Sequence, residues 1–482
     1  LIFGTERKLR SAANAGEFPA AQVFQAEGSV RGCQRPLIYP ARPERKRSKE
    51  ETMSLSAKWK PAAATIVAAT AAVAVAGLLF ASSARTEDLK SYDSNNKNFW
   101  QHPPDDWFMG DETKELKGTN YLKTLPPPTG FTKDEIEAKL KEIKLPPGFK
   151  IELWANGVTD ARQMARGDKG TLFVGSLFGG NGKVYAIVDE GGKRVVKTII
   201  SKGLRMPSGI AFHDGALYVA DIDKIYKYEN AEANLDTMPQ PQIVYDDMPP
   251  YIPHGWKYLA FDKDGWLYVA FGPPCNICLP PTTTAQVRHI NPANGTAEIV
   301  ALGVRNSVGG DVDPRTGDYW FTENARDWLG EDIPGDKLNH VAKLGENFGY
   351  PHCHQGDIPD PKFAMGHKCS EFSPPALNLG AHVAPLGMKF YTGDQFPADY
   401  KNNIIVAEHG SWNRLVYQGG RLMRVTVDPD GKNAKEVEFA SGWISADGKY
   451  RGRPNDVLVA NDGSLLVADD YNGAIYRISY SK

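Results

Sequence analysis

The sequence predicts an all-β fold, a six-bladed β-propeller, preceded by a signal or anchor segment and a short helical preamble. Three observations carry that prediction. Gly and Pro number 47 and 34 in 482 residues, a turn content that favours strands over helices. From Phe149 onward one unit recurs six times: an apolar strand, a turn with Gly or Asn, and a second apolar strand. Its spacing of roughly 45–60 residues over the first four copies, with a longer interval after the fourth, is that of propeller blades. Finally, the apolar stretch Phe149–Trp154 precedes the first copy, where it can close the ring against the last blade. A two-sheet sandwich is the structural alternative, and it explains six spaced hairpins less well.

Before the repeats, the chain falls into three segments. Residues 1–52 carry ten Lys/Arg against six Glu and no hydrophobic period. They are expected to stay unfolded, either as sequence upstream of a start at Met53 or as a basic tail. Residues 53–84 have the grammar of an export signal: Lys58 and Lys60, an uncharged run from Ala62, then small residues at Ala81–Ala84. The run is also long enough to span a bilayer, so a cleaved signal and an uncleaved anchor both stand. Residues 85–147 read as a linker rich in Asp, Asn, Lys and Pro, with one helix. There Thr132 caps, Glu135 is its reciprocal partner, and Ile136, Leu140 and Ile143 share a face, with Pro146 and Pro147 ending it.

Residues 148–482 form the propeller. The six hairpins are Met164–Val174, Ile210–Ala220, Leu259–Ala270, Gly310–Thr322, Gly387–Ala407 and Val457–Ala468. Gly170, Asp214-Gly215, Asp264-Gly265, Thr316-Gly317, Asn402-Asn403 and Asp462-Gly463 mark their turns, and such residues supply the positive φ that tight hairpins need. The longer interval Asp327–Ala381, rich in Pro, Gly, His and Cys, reads as an insertion over one mouth.

Composition narrows the partners. Net charge is −2, and without the basic leader the body is mildly acidic. No basic stripe is present to attract phosphate backbones, so nucleic acid is not expected. Beyond Cys33 in the leader, four cysteines remain: Cys275, Cys278, Cys353 and Cys369. An even set suits an oxidising compartment, periplasmic or extracellular. Leu279 follows Cys275-Asn276-Ile277-Cys278 where haem attachment needs His, and neither a second zinc-type pair nor a βαβ context accompanies it. Structural disulfides Cys275–Cys278 and Cys353–Cys369 are the expectation.

Three polar segments precede inner strands at one position of the repeat: Tyr251–Trp256 with His254, Gly303–Ser307 with Arg305 and Asn306, and Arg451–Asp456 with Arg453. Taken singly, each is an ordinary loop histidine or a surface arginine. A propeller would bring all three to the same mouth, which favours a site.

At these residues the chain resembles the PQQ-dependent sugar dehydrogenases, in the branch of glucose/sorbosone dehydrogenases, from about Leu145 to Ile478. The resemblance rests on Pro253-His254-Gly255, Gly303-Val304-Arg305-Asn306, Gly345–Pro351, His382–Gly387, Glu408–Arg414 and Arg451-Gly452-Arg453-Pro454. It implies hydride transfer from an aldose, or a related sugar or aldehyde, to bound PQQ, with electrons passed to an external quinone or cytochrome. It further implies His254 as general base, Arg305 at the quinone oxygen, and Asn306, His382, Arg414, Arg451 and Arg453 around the cofactor. Imidazole suits the base because its pKa lies near working pH. Guanidinium forks suit carboxylates. The family also implies Ca²⁺ beside the quinone. The loop Asn324–Gly330, with Asp327 as its candidate ligand, lies where that ion would bind, whereas Lys337 replaces an acidic ligand of a second calcium site. Two further classes stay open. A metal-dependent lactonase propeller would place carboxylates and Asn at the axis, where this chain offers Arg and His. A non-catalytic binding propeller would need no cofactor.

Overall fold

The computed structural model describes residues 131–177, 182–251, 254–412, 414 and 416–481. The leader, the signal or anchor segment and the linker up to residue 130 lie outside the described residues.

Six sheets make the six blades. Their innermost strands are Ala161–Arg166, Gly209–His213, Ala260–Phe261, Gly310–Val312, Pro385–Phe390 and Pro454–Val459, for blades 1 to 6. Each inner strand packs on the next, and the sixth returns to the first, so the ring is closed. All six predicted hairpins are the inner two strands of a blade. Ring closure also follows expectation. Phe149–Asn156 pairs antiparallel with the last strand, Ala474–Tyr480, and completes blade 6 from the chain's other end.

The apolar alternation explains the packing. In the second strand of blade 1, Leu172 and Val174 face blade 6 while Phe173 faces blade 2. Each sheet is thus covered on both sides, and apolar residues are needed on both. The core is therefore divided among the six blade interfaces, each with its own cluster. A radial stack of this kind leaves the axis to polar side chains.

Two expectations need correction. The helix spans Lys133–Leu140 with the predicted capping box, but it ends well before Pro146. Lys144 instead forms a β-bridge with Ser441 at the edge of blade 5, with N–H···O distances of 2.8 and 3.1 Å, which draws the chain into extended form. Ile136 and Leu140 are buried against blades 5 and 6, so the preamble is docked to the propeller. Second, residues 327–381 are not simply an insertion. They contain Gly335–His340 and Leu377–Ala381, the outer two strands of blade 4. Only the stretch between those strands departs from the blade, and Glu346–Asn347 within it adds a short parallel edge to blade 3.

Candidate active site

Chain segments entering the inner strands and leaving the second strands meet at one mouth, around a pocket of about 890 Å³ counted out to solvent. The entries contribute Arg162 from blade 1, His254 from blade 3, Arg305 and Asn306 from blade 4, His382 from blade 5 and Arg453 from blade 6. The exits add Asn324 and His409.

His254 is buried and adopts φ +53°, in the left-handed region that is uncommon for residues other than Gly. Its Nδ1 lies 2.8 Å from the carbonyl oxygen of Pro273. A carbonyl only accepts, so Nδ1 carries the proton and Nε2 keeps the lone pair. Burial, then the charge of Arg305 and, more weakly, Lys257, hold the ring's pKa well below 6.5 despite that bond. The imidazole is held in its neutral form. Gly272 makes room for it, since a Cβ there would stand 2.4 Å from the Cβ of His254 and 2.9 Å from the carbonyl oxygen of Arg305.

Arg305 sits in a cradle of oxygens. Its Nε donates to the Asn276 carbonyl at 2.8 Å, and Nη1 donates to the carbonyls of Asn324 and Ala325 at 3.3 and 2.7 Å. Nη2 donates to Asn276 Oδ1 at 2.8 Å and Asp327 Oδ2 at 2.9 Å. All five N–H groups of the guanidinium are therefore satisfied. What remains for chemistry is its charge, buried and thus weakly screened.

Opposite lie Arg162 and Arg453. Arg162 pairs with Asp470 at 3.2 Å, and Asp470 also meets His409 Nε2 at 2.9 Å. Burial opposes ionisation of Asp470, but His409 and Arg162 hold its carboxyl well below the usual range. Burial and Arg453 push His409 down to about 4. Arg453 donates to the carbonyls of His409 and Gly410 at 3.2 and 2.7 Å. Among the described residues, Nε of Arg162 and Nη1 of Arg453 are buried without a hydrogen-bond partner. Unmet donors on buried cations are costly, and an anionic ligand would satisfy them. At the fifth blade, His382 Nε2 lies 2.8 Å from the Gly330 carbonyl oxygen. Asp336 accepts from the amides of Ala325 and Ala384, each at 2.8 Å. Burial raises it to about 6.

Of the residues singled out from sequence, His254, Arg305, Asn306, Asp327, His382 and Arg453 line this pocket, whereas Arg414 and Arg451 do not. Arg414 turns to the Glu331 carbonyl and to Asp332, 2.9 Å away. Arg451 lies in reach of Glu142 and Asp447, at 3.8 and 3.6 Å, and is one-third exposed. Both expected disulfides are formed. Sequence reasoning missed Arg162. The signal was available, because Arg162 opens the inner strand of blade 1, close to the repeat position held by Arg305 and Arg453.

A closed six-bladed propeller with a buried histidine among arginines at one mouth is the arrangement expected of a quinoprotein-type oxidoreductase. Comparison places it further: the TrAA12-like profile matches residues 143–481. The chain belongs to that family, the PQQ-dependent sugar dehydrogenases of AA12 type. It is 33% identical over 353 residues to an uncharacterised protein of Borreliella burgdorferi, covering 70% of this chain and 91% of that protein. It is 31% identical over 216 residues to the pyrroloquinoline quinone-dependent sugar dehydrogenase of Hypocrea jecorina, covering 38% of this chain and 49% of that protein. In fold it matches a Trichoderma reesei carbohydrate-active enzyme of family AA12 with a TM-score of 0.60 at 23% identity, over 70% of this chain and 98% of that one.

Proposed function

We propose that the protein oxidises an aldose, or a related sugar or aldehyde of sorbosone type, with PQQ as acceptor and His254 as base. The observation that carries this is the His254 ring: Nδ1–H is committed to Pro273 and the ring is held neutral, which leaves Nε2 to take a proton. PQQ is an anionic quinone bearing carboxylates, and the fit rests on the unmet donors of Arg162 and Arg453. When bound, it supplies a two-electron, hydride-accepting centre.

The chain's own residues do the rest. His254 Nε2 accepts the substrate hydroxyl proton, a step worth about 10²–10⁴ in rate. Arg305, fixed by its five bonds, presents positive charge without reorganising, which stabilises negative charge developing beside it. Arg162 and Arg453 hold the carboxylates, with Asn306 on the facing wall and His382 at the blade next to Arg453. Arg414 and Arg451 support the surrounding loops.

Calcium fits this oxygen set poorly. Asp327 Oδ2 and the carbonyls of Asn324 and Ala325 are taken by Arg305, and Asp336 by two amides. Among the described residues no three His, Cys, Asp or Glu side chains are grouped to hold a metal. Lys337 instead makes a buried pair with Glu323 at 2.9 Å.

Electrons would pass to an external quinone or cytochrome. Two disulfides support residence in an oxidising compartment, periplasmic or extracellular, with attachment to a membrane through residues 62–84 as the anchored alternative. Among the described residues no helix is long and apolar enough to cross a membrane. The test is dye-linked oxidation by the purified protein on adding PQQ, with a chelator in one arm and Ca²⁺ in the other. Sugar-dependent dye reduction that needs PQQ supports the reading, and none in either arm contradicts it.

A further inference from the structure

Arg305 is held by a loop whose own role the chemistry above leaves open. Asn276 lies between Cys275 and Cys278 in a stretch with no strand pairing. Its carbonyl and its Oδ1 accept from Nε and Nη2 of Arg305, each at 2.8 Å. The same Oδ1 accepts the Asp327 amide at 2.8 Å, and Nδ2 donates to the Asp327 carbonyl at 3.1 Å. One buried side chain thus fixes both partners of the Arg305–Asp327 ion pair.

The loop is anchored in turn. The Cys275–Cys278 disulfide closes it. Tyr350 Oη accepts the Cys278 amide at 3.1 Å and lies 3.3 Å from Cys275 Sγ. Ile277 is buried against Ala285 and Tyr350. The amide side chain matters chemically. A carboxylate at 276 would have no N–H for the Asp327 carbonyl, and it would set a second anion beside Asp327, so that two carboxylates outweigh the single charge of Arg305.

We propose that Asn276 is the positioning residue for Arg305, and that the Cys275–Cys278 link together with Tyr350 holds Asn276 in place. This rests on the role assigned to Arg305 under the proposed function, so one arm of the test avoids turnover altogether. In Arg305→Ala the five oxygens of the cradle lose their partner, and free guanidinium ion is their natural occupant. Melting of the cofactor-free variant is followed with millimolar guanidinium chloride against sodium chloride at equal ionic strength. Arg305→Ala should gain thermal stability from guanidinium specifically, and Arg305→Ala with Asn276→Ala should not. An equal response of the two proteins, or none in either, overturns the proposal, whatever the protein oxidises.

The second arm uses the PQQ-loaded enzyme and keeps Arg305. Asn276→Ala should lower kcat about ten- to a hundredfold, the worth of hydrogen bonds to a charged group, and Asn276→Asp, of equal size, at least as much. Arg305 and, more weakly, Lys257 are the charges that lower the His254 pKa. With Arg305 loosened, the acid limb of kcat/KM should move up in pH in both variants and in the Cys275→Ser, Cys278→Ser protein. A merely structural role for the loop would lower stability without moving that limb. Wild-type kcat and an unmoved limb in Asn276→Asp would overturn the assignment.

Discussion

Replacing His254 by Asn removes the proposed base with little disturbance elsewhere. The backbone at 254 has φ +53°, which Asn tolerates far better than Ala does, and an amide can still donate to the Pro273 carbonyl. Asn offers no basic nitrogen. Loss of a general base costs about 10²–10⁴ in rate, or about 2.7–5.4 kcal/mol of barrier at 1.36 kcal/mol per tenfold. Affinity for PQQ should hardly change, because Arg162 and Arg453 on the opposite wall are untouched. The assay is reduction of bound PQQ by saturating aldose in a stopped-flow instrument, with PQQ affinity measured separately by titration. The wild-type pH profile belongs to the same test. Burial and Arg305 lower the His254 pKa well below 6.5, so the base form persists as pH falls. The kcat/KM plateau should therefore extend through pH 6.5 and fail only well below it. Wild-type turnover by the Asn variant, or an acid limb at 6.5 or above, would refute the reasoning.

Arg453→Ala should raise the PQQ dissociation constant about tenfold to a hundredfold, from roughly 1.5–3 kcal/mol for a charge-assisted bond, with excess cofactor restoring much of the rate. Arg451→Ala, outside the pocket, should leave that constant unchanged in the same titration. Gly272→Ala should cost about 1–3 kcal/mol through overpacking and depress kcat, because the added Cβ meets both His254 and Arg305; denaturant melts and kinetics check the pair. Stability should also decline in acid through His409, whose pKa drops from 6.5 to about 4 on folding. Its contribution is fully present above 6.5 and is lost as pH falls toward 4, and His409→Asn should flatten that part of the melting profile.

The blades were legible because each turn needs residues of positive φ and each central strand needs apolar side chains on both faces. Those constraints act locally, so Asp214-Gly215 or Leu172–Val174 declares itself. Blade 4's outer strands escaped because Gly335–His340 is polar. Its charges are tolerated only through partners, Lys337 on Glu323 and Asp336 on two amides, and these come from elsewhere in the chain. The helix end was misplaced for a similar reason, since the Lys144–Ser441 bridge acts before the prolines do. In the site, position along the repeat located His254, Arg305 and Arg453. Side-chain direction was not readable: Arg414 turns to Glu331 and Asp332, and Arg451 lies by Glu142 and Asp447, acids on other segments. Arg162 carries no polar motif around it in the sequence, and its place beside Asp470 at the axis comes only from the fold.

Anaerobic titration of the PQQ-loaded protein with an aldose, with no electron acceptor present, tests the central claim most directly. A base and a quinone held in one pocket require that sugar alone reduce the bound cofactor, one equivalent of each, and that His254→Asn slow this reduction without preventing PQQ from binding. A protein that binds PQQ yet shows an unchanged cofactor spectrum with excess aldose would contradict the account.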